Sequence, residues 1–170
     1  MEPTTNTEQK LEEHVIAIDR VARVVKGGRR FRFRALVVVG NRRGRVGLAV
    51  AKASDVSSAI NKASSQAQKK MLKVPITKSG SIPHLVETKF SGAHILLKPA
   101  GPGTGVRASG TIRPILEAVG IRDVLSKSLG SNNKLNNCYA TVKALTQLEL
   151  PSKKPQPVSP KESPSNKKSS

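Results

Sequence analysis

The sequence predicts an α+β fold of two small units, β-β-β-α followed by β-β-α-β-α. Three observations predict it. Apolar residues alternate with arginines between Arg30 and Val39, the period of a half-buried strand. Apolar residues recur three or four apart within 56–71, 112–119 and 135–145, the period of a helix with one buried stripe. Glycine pairs and Gly-Asn steps punctuate the first of these regions at hairpin spacing. The chain of 170 residues is long enough for one ordinary domain or two small ones with a real core.

The elements follow in order. Val15 to Val25 is rich in β-branched residues and reads as a strand. Lys26-Gly27-Gly28-Arg29 is a hairpin turn, because Gly-Gly supplies positive φ. In the next strand Phe31, Phe33, Ala35, Val37 and Val39 face one way, and Arg30, Arg32 and Arg34 the other. Gly40 to Gly44 turns the chain again, and Arg45 to Lys52 is a third strand. Ser54 is the expected N-cap of a helix whose stripe is Val56, Ala59, Ile60, Ala63, Ala67 and Met71. The second unit opens on strands at 82–90 and 93–98 around Ser91-Gly92. Pro99 to Gly110 is a glycine-rich loop. A short helix starts near Arg113, since Pro114 suits only a first turn, and stops at Gly120. Val124 and Leu125 suggest a strand. A last helix begins near Asn133 and turns Leu135, Cys138, Tyr139, Val142 and Leu145 inward. The expected boundaries are a flexible N-terminal segment at 1–13, a first domain at 14–74, a second at 75–150 and a Pro/Ser/Lys tail at 151–170. The tail is expected to be disordered, because its composition buries too little surface to offset ordering.

Charge sets the class of partner. Lys and Arg number 30 against 11 Asp and Glu, a formal net charge of +19, which points to a polyanion. Between 14 and 150 the excess is 24 cations over six acids, so it belongs to the folded part. Aromatics are 2% of the chain, which argues against a single-strand reader that stacks bases on exposed rings. The single cysteine excludes an internal disulfide and a multi-cysteine zinc site. No run approaches the ~20 apolar residues of a membrane span, and the acidic first thirteen residues resemble neither a secretory signal nor a transit peptide.

Arg20, Arg23, Lys26, Arg29, Arg30, Arg32, Arg34, Arg42, Arg43 and Arg45 form the strongest signal, in a stretch without an acid. Hairpins are expected to gather many of them on one face and at adjacent turns. A solvated surface normally mixes signs, whereas unrelieved like charge calls for phosphate. Arginine outnumbers lysine here, which favours bidentate phosphate contact. Gly101-Pro102-Gly103-Thr104-Gly105 before a helix admits two readings. One is a nucleotide phosphate loop in a kinase-like domain. The other, which is favoured, is a tight loop requiring positive φ against RNA or a neighbouring protein, because the Walker Gly-Lys-Ser/Thr step is missing and Glu87, Glu117 and Asp123 have no metal-site spacing. His14, His84 and His94 are scattered and read as structural. Cys138 reads as a small core residue and Asn133 as a cap. No catalytic residue, metal ligand or cofactor is expected.

At this point the motifs resemble a known family. Arg20-Val21-Ala22-Arg23-Val24-Val25-Lys26-Gly27-Gly28-Arg29-Arg30-Phe31, Phe33 to Gly40, Gly44-Arg45-Val46-Gly47, Lys52-Ala53, Pro83-His84, Pro99-Ala100, Gly103-Thr104-Gly105, Arg113 with Leu116-Glu117, and Gly130-Ser131 with Asn136 occur in the order found in small-subunit ribosomal protein five, the bacterial-type member of a universal family. The resemblance runs from about residue 12 to 147. It implies a first domain like a double-stranded-RNA-binding domain without its opening helix, and a second α/β domain of a fold shared with small-molecule kinases. It implies a non-catalytic constituent of the small ribosomal subunit bound to 16S-type rRNA. Gly27, Gly28 and Lys52 join the ten basic residues as the expected RNA-binding set. Gly103, Thr104, Gly105, Arg107 and Arg113 are expected to meet ribosomal protein four, an interface that influences decoding accuracy. Ribosomal protein eight is expected on another side of the second domain, and mRNA near where it enters the subunit. The expected location is the ribosome of a bacterium or a plastid, and the alternative is a free-standing double-stranded-RNA-binding module. The chain departs from the family pattern at Arg107, where a branched apolar residue is usual, at Lys134, where Pro is common, and in its tail.

Overall fold

The computed structural model describes residues 11–149; the proposed tail, and all but the last three residues of the proposed N-terminal segment, lie outside the described residues. The first unit consists of β1 (Glu12–Val25), β2 (Gly28–Gly40), β3 (Arg45–Ala53), α1 (Val56–Lys69) and β4 (Leu72–Lys73), with an antiparallel sheet in the order β1-β2-β3-β4. The second consists of β5 (Val86–Phe90), β6 (Ala93–Pro99), β7 (Val106–Arg107), α2 (Arg113–Val119), β8 (Val124–Ser128) and α3 (Lys134–Thr146). Its sheet runs β5-β6-β8-β7, antiparallel except for the parallel pair β7–β8.

The α+β class and the order of the long elements agree with the sequence. Several details differ. Glu12 and Glu13, assigned above to the flexible segment, pair with Gly40 and Val39 at the start of β1. Glu13 also accepts hydrogen bonds from Ser64 Oγ and Gln68 Nε2, which ties β1 to α1. Asp55, not Ser54, caps α1: its carboxylate accepts from the N–H of Ser57 at 3.0 Å and of Ser58 at 3.4 Å. Met71 falls beyond the helix, whose C-cap is Lys70. The strand expected from 82 begins at Val86, because Pro83 has no N–H for a ladder. The two-residue strands β4 and β7 are too short to show a period.

The core explains how the units join. Odd residues of β2 (Ala35, Val37, Val39) pack with Ala59, Ala63 and Ala67 of α1. Even residues (Leu36, Val38) belong to a second cluster with Ile115, Leu116, Ala118 and Val119 of α2 and Cys138, Ala144 and Leu145 of α3. The first sheet is therefore covered on both faces, and the second unit supplies the second cover. Burying Leu36 and Val38 contributes about 1.5–3 kcal/mol each. Two glycines permit the close approach. A Cβ on Gly47 would lie 2.1 Å from Ala67 O, and one on Gly40 2.2 Å from Ala118 O. Backbone bonds complete the seam: Arg42 N–H donates to Ala118 O (3.0 Å) and Gly44 N–H to Val119 O (2.8 Å).

Cys138 is fully buried. Burial pushes its thiol up to about 12, because the thiolate loses its hydration. Native protein is therefore expected to resist iodoacetamide at pH 8, and urea-unfolded protein to be alkylated at the rate of a free thiol. Rapid modification under native conditions, read by mass spectrometry, would contradict this burial.

Candidate nucleic-acid interface

The β1–β2 hairpin outruns the rest of its sheet. The pairing of β3 with β2 ends at Phe33–Ala53, whereas β1–β2 pairing continues to Val25–Gly28. Residues 21–32 thus form a two-stranded ribbon beyond the body. Gly28, at φ +133°, takes a conformation that L side chains rarely adopt.

Register assigns each side chain to a face, since paired residues share a side and alternate along the strand. Arg23 lies opposite Arg30, Val21 opposite Arg32, and Arg34 opposite Lys52. Arg23, Arg30, Arg32 and Lys52 line one open cleft of about 450 Å³ with Val21 and Val25. Like charges directly across a ladder are destabilising, so this surface gains when an anion sits between them. Arg20 and Arg29 belong to the opposite face. There the Arg20 guanidinium stacks 3.8 Å from the Phe31 ring centroid. Phe31, expected on the apolar face, is 46% exposed because neither β3 nor α1 reaches it. Lys26 and Gly27 form the exposed tip.

The expected adjacency of the two turns is corrected by strand geometry. The Gly40–Gly44 turn sits at the far end of β2, whose 13 residues span about 40 Å. Arg42, Arg43 and Arg45 therefore make a separate patch. Two arginines are also partly neutralised. Arg34 pairs with Asp19 at 2.8 Å, and Arg42 with Glu12 at 2.7 Å. Asp19 and Glu12 precede the acid-free stretch in sequence and are brought beside it by β1–β2 pairing. Arg122 joins Arg42 along a second cleft at this end; its position just after the Gly120 helix stop was the available signal.

The glycine loop is built from within. Gly103 and Gly105 have φ of +86° and +74°. Thr104 Oγ1 donates to Gly101 O at 2.8 Å, and Gly105 N–H to the buried Asp123 Oδ1, also at 2.8 Å. The three acids considered for a metal are engaged elsewhere: Asp123 with Gly105, Glu117 with Arg113 at 2.7 Å, and Glu87 with His94. Among the described residues no group of three or more metal-ligating side chains occurs. His84 accepts from Glu149 N–H at Nε2 and lies 3.0 Å from Leu85 O through Nδ1, a structural arrangement. Gly103 and Arg113 are exposed, Thr104 and Gly105 partly so. Arg107 lies by Lys127 at the edge of the second sheet, and Arg113 is on α2.

A cationic ribbon that carries no acid between Arg20 and Arg32 places the chain among the polyanion-binding proteins. Comparison with known proteins narrows the class. Residues 11–75 match the N-terminal domain of ribosomal protein S5 and residues 88–156 its C-terminal domain. Similar proteins include the small ribosomal subunit protein uS5 of Trichormus variabilis, 52% identical over 85% of this chain and 83% of that protein. That of Campylobacter jejuni is 55% identical over 83% of this chain and 95% of its own length. Small ribosomal subunit protein uS5c of Rhodomonas salina, a plastid form, is 49% identical over 81% and 82%. The chain belongs to the ribosomal protein S5 family of the small ribosomal subunit. Association with rRNA is general to that family. Its members are structural ribosomal proteins of bacteria and plastids, not enzymes, so the kinase-like alternative falls. Among the described residues no helix is long and apolar enough to cross a membrane.

Proposed function

We propose that the chain grips 16S-type rRNA through the ribbon face of Arg23, Arg30, Arg32 and Lys52, with Lys26 and Arg29 at the tip and Arg20 on the reverse face. The single observation that carries this reading is that register lines these four cations along one cleft without an acid. Arg43 and Arg45, with the partly neutralised Arg34 and Arg42, are secondary contacts, and Gly27 and Gly28 present the tip. The exposed surface of Gly103, Thr104, Gly105 and Arg113, with Arg107 at its margin, meets ribosomal protein four and tunes decoding accuracy. Ribosomal protein eight takes another side of the second domain, and mRNA passes close where it enters the subunit. Subunit assembly depends on these contacts together.

Sedimentation with small subunits, followed by RNA crosslinking, tests the reading against a free-standing double-stranded-RNA-binding module, which stays in the soluble fraction. Arg113→Glu tests the protein surface. It removes the Glu117 pair, worth about 0–1 kcal/mol where exposed, so the fold is expected to hold. Binding to ribosomal protein four is expected to weaken and miscoding to change. Unchanged miscoding, or saturable micromolar ATP binding lost in Gly103→Ala, argues against this surface.

A further inference from the structure

β5 is an outer strand of the second sheet: among the described residues it pairs with β6 alone. It reads Val86-Glu87-Thr88-Lys89-Phe90. We propose that in the free protein this edge pairs antiparallel with the same edge of a second copy of the chain, about a twofold axis through Thr88. The inference concerns the chain without RNA and goes beyond the reading of its rRNA face.

The backbone leaves this edge open. Phe90 and Ala93 close the two-residue turn Ser91-Gly92, so their backbone groups face each other. Ladder bonds alternate along an antiparallel pair, so the N–H and C=O of Glu87 and Lys89 point away from β6. Lys89 O accepts from the Lys143 ammonium at 3.4 Å, in keeping with that direction; this exposed contact is the one a pairing strand displaces. Unpaired edge groups are a template for another strand. The side chains select which strand. Antiparallel pairing centred on Thr88 sets Glu87 opposite Lys89 of the second copy, and Lys89 opposite Glu87 of the second copy. These are the residues whose backbone groups are open, so one register satisfies both backbone and charge. Glu87 and Lys89 are exposed on one face, where opposite charges across a ladder attract. On the other face Val86 meets Phe90 of the second copy; Phe90, 38% exposed, already stacks on Tyr139. A lone edge lysine discourages pairing, but the reciprocal glutamate two residues away makes it a match for this one partner. A twofold contact requires such a self-complementary surface. A strand pair this short belongs with the weak, transient interfaces.

Sedimentation equilibrium of the full chain without RNA tests the pairing. About 0.5 M salt screens the long-range repulsion between two copies of charge +19 more than it weakens charges in contact. The mass is expected to rise with concentration from one chain toward two, and to stop there. Glu87→Lys and Lys89→Glu are each expected to weaken association about tenfold or more, because each sets like charges opposite at both pairs. An equal mixture of these two variants is expected to associate like wild type, since one copy then offers two lysines to two glutamates. The exchanged double variant, Glu87→Lys with Lys89→Glu, is expected to dimerise too. It lacks the contact of Glu87 with His94, so it separates pairing from that contact. Thermal midpoints show which variants fold. Amide exchange on wild type needs no variant: the Glu87 and Lys89 amides are expected to slow as the protein is concentrated, whereas that of Thr88, already in the β6 ladder, stays as it is. A mass of one chain at every concentration, or growth beyond two, overturns the proposal. Single variants that associate like wild type overturn it, as does a mixture that associates no better than either variant alone. Glu87 and Lys89 amides already slow in dilute protein overturn it as well, because another part of the chain then covers the edge.

Discussion

Replacing Arg23, Arg30, Arg32 and Lys52 together by glutamine is expected to flatten the salt dependence of small-subunit rRNA binding by about 3 units in log–log slope. Each phosphate that a cation neutralises releases condensed counterions, and each such contact contributes ~0.7–0.9 to that slope. Four contacts on one cleft add to about 3. The fold should survive, because none of the four belongs to either buried cluster, and Arg23 and Arg30 repel each other across the ladder. Losses should be similar across RNAs of the same shape, since an A-form helix hides its base edges in a deep, narrow groove. Arg34→Gln with Arg42→Gln is expected to do less per charge, because Asp19 and Glu12 already compete with phosphate for those guanidinium groups. Filter binding across a salt series measures both. Equal slopes for the quadruple variant and wild type would make the ribbon an ordinary solvated surface.

A large loss of stability is expected from Gly40→Ala. The added Cβ would stand 2.2 Å from Ala118 O and 2.6 Å from Ala118 C. The obstacle is backbone on both sides, so no side-chain rotation relieves it. Overpacking of this kind costs typically 1–3 kcal/mol and occasionally more; the backbone clash puts Gly40→Ala at about 3 kcal/mol. A chain of this size should then melt roughly 6–12 °C lower. Gly101→Ala is the control, because a Cβ there meets nothing within 4 Å, and its melting point should stay within a degree or two. Equal melting points for Gly40→Ala and Gly101→Ala would show that the α2–sheet seam is looser than the contact distances imply.

These two sites also show what the sequence displays and what it hides. Alternation along Arg30 to Val39 and the caps at Asn133 and Gly120 are local, so period and residue type reveal them. The choice of Asp55 over Ser54 as cap is also local, but both residues can cap, and only backbone geometry separates them. The apolar run Ala35-Leu36-Val37-Val38-Val39 carried a signal read only in part. A strand with one wet face alternates, whereas an unbroken apolar run marks one covered on both sides. Which element supplies the second cover, α2 from about 75 residues further on, has no local cue. The basic residues illustrate the converse. Their nearness in sequence suggested one surface, but an extended strand carries its two ends about 40 Å apart. The partners that neutralise Arg34 and Arg42 depend on pairing register, which composition cannot supply.

The ribbon has a consequence for how the molecule opens. A single strand, β2, runs from the core positions Ala35 to Val39, each under 5% exposed, out to a tip where nearly every side chain meets solvent. Two-stranded ribbons are marginal on their own, and this one carries opposed like charges. Local opening free energies must therefore fall steeply along one continuous strand, from near the global value at its buried end toward zero at Gly28. In the free protein the outer rungs fray and re-form, and the inner rungs open only with the whole fold. A bound polyanion quenches the repulsion and holds the outer rungs closed, so part of its binding free energy appears as order in the protein. The same strand serves as a fixed anchor at one end and as an adaptable probe at the other.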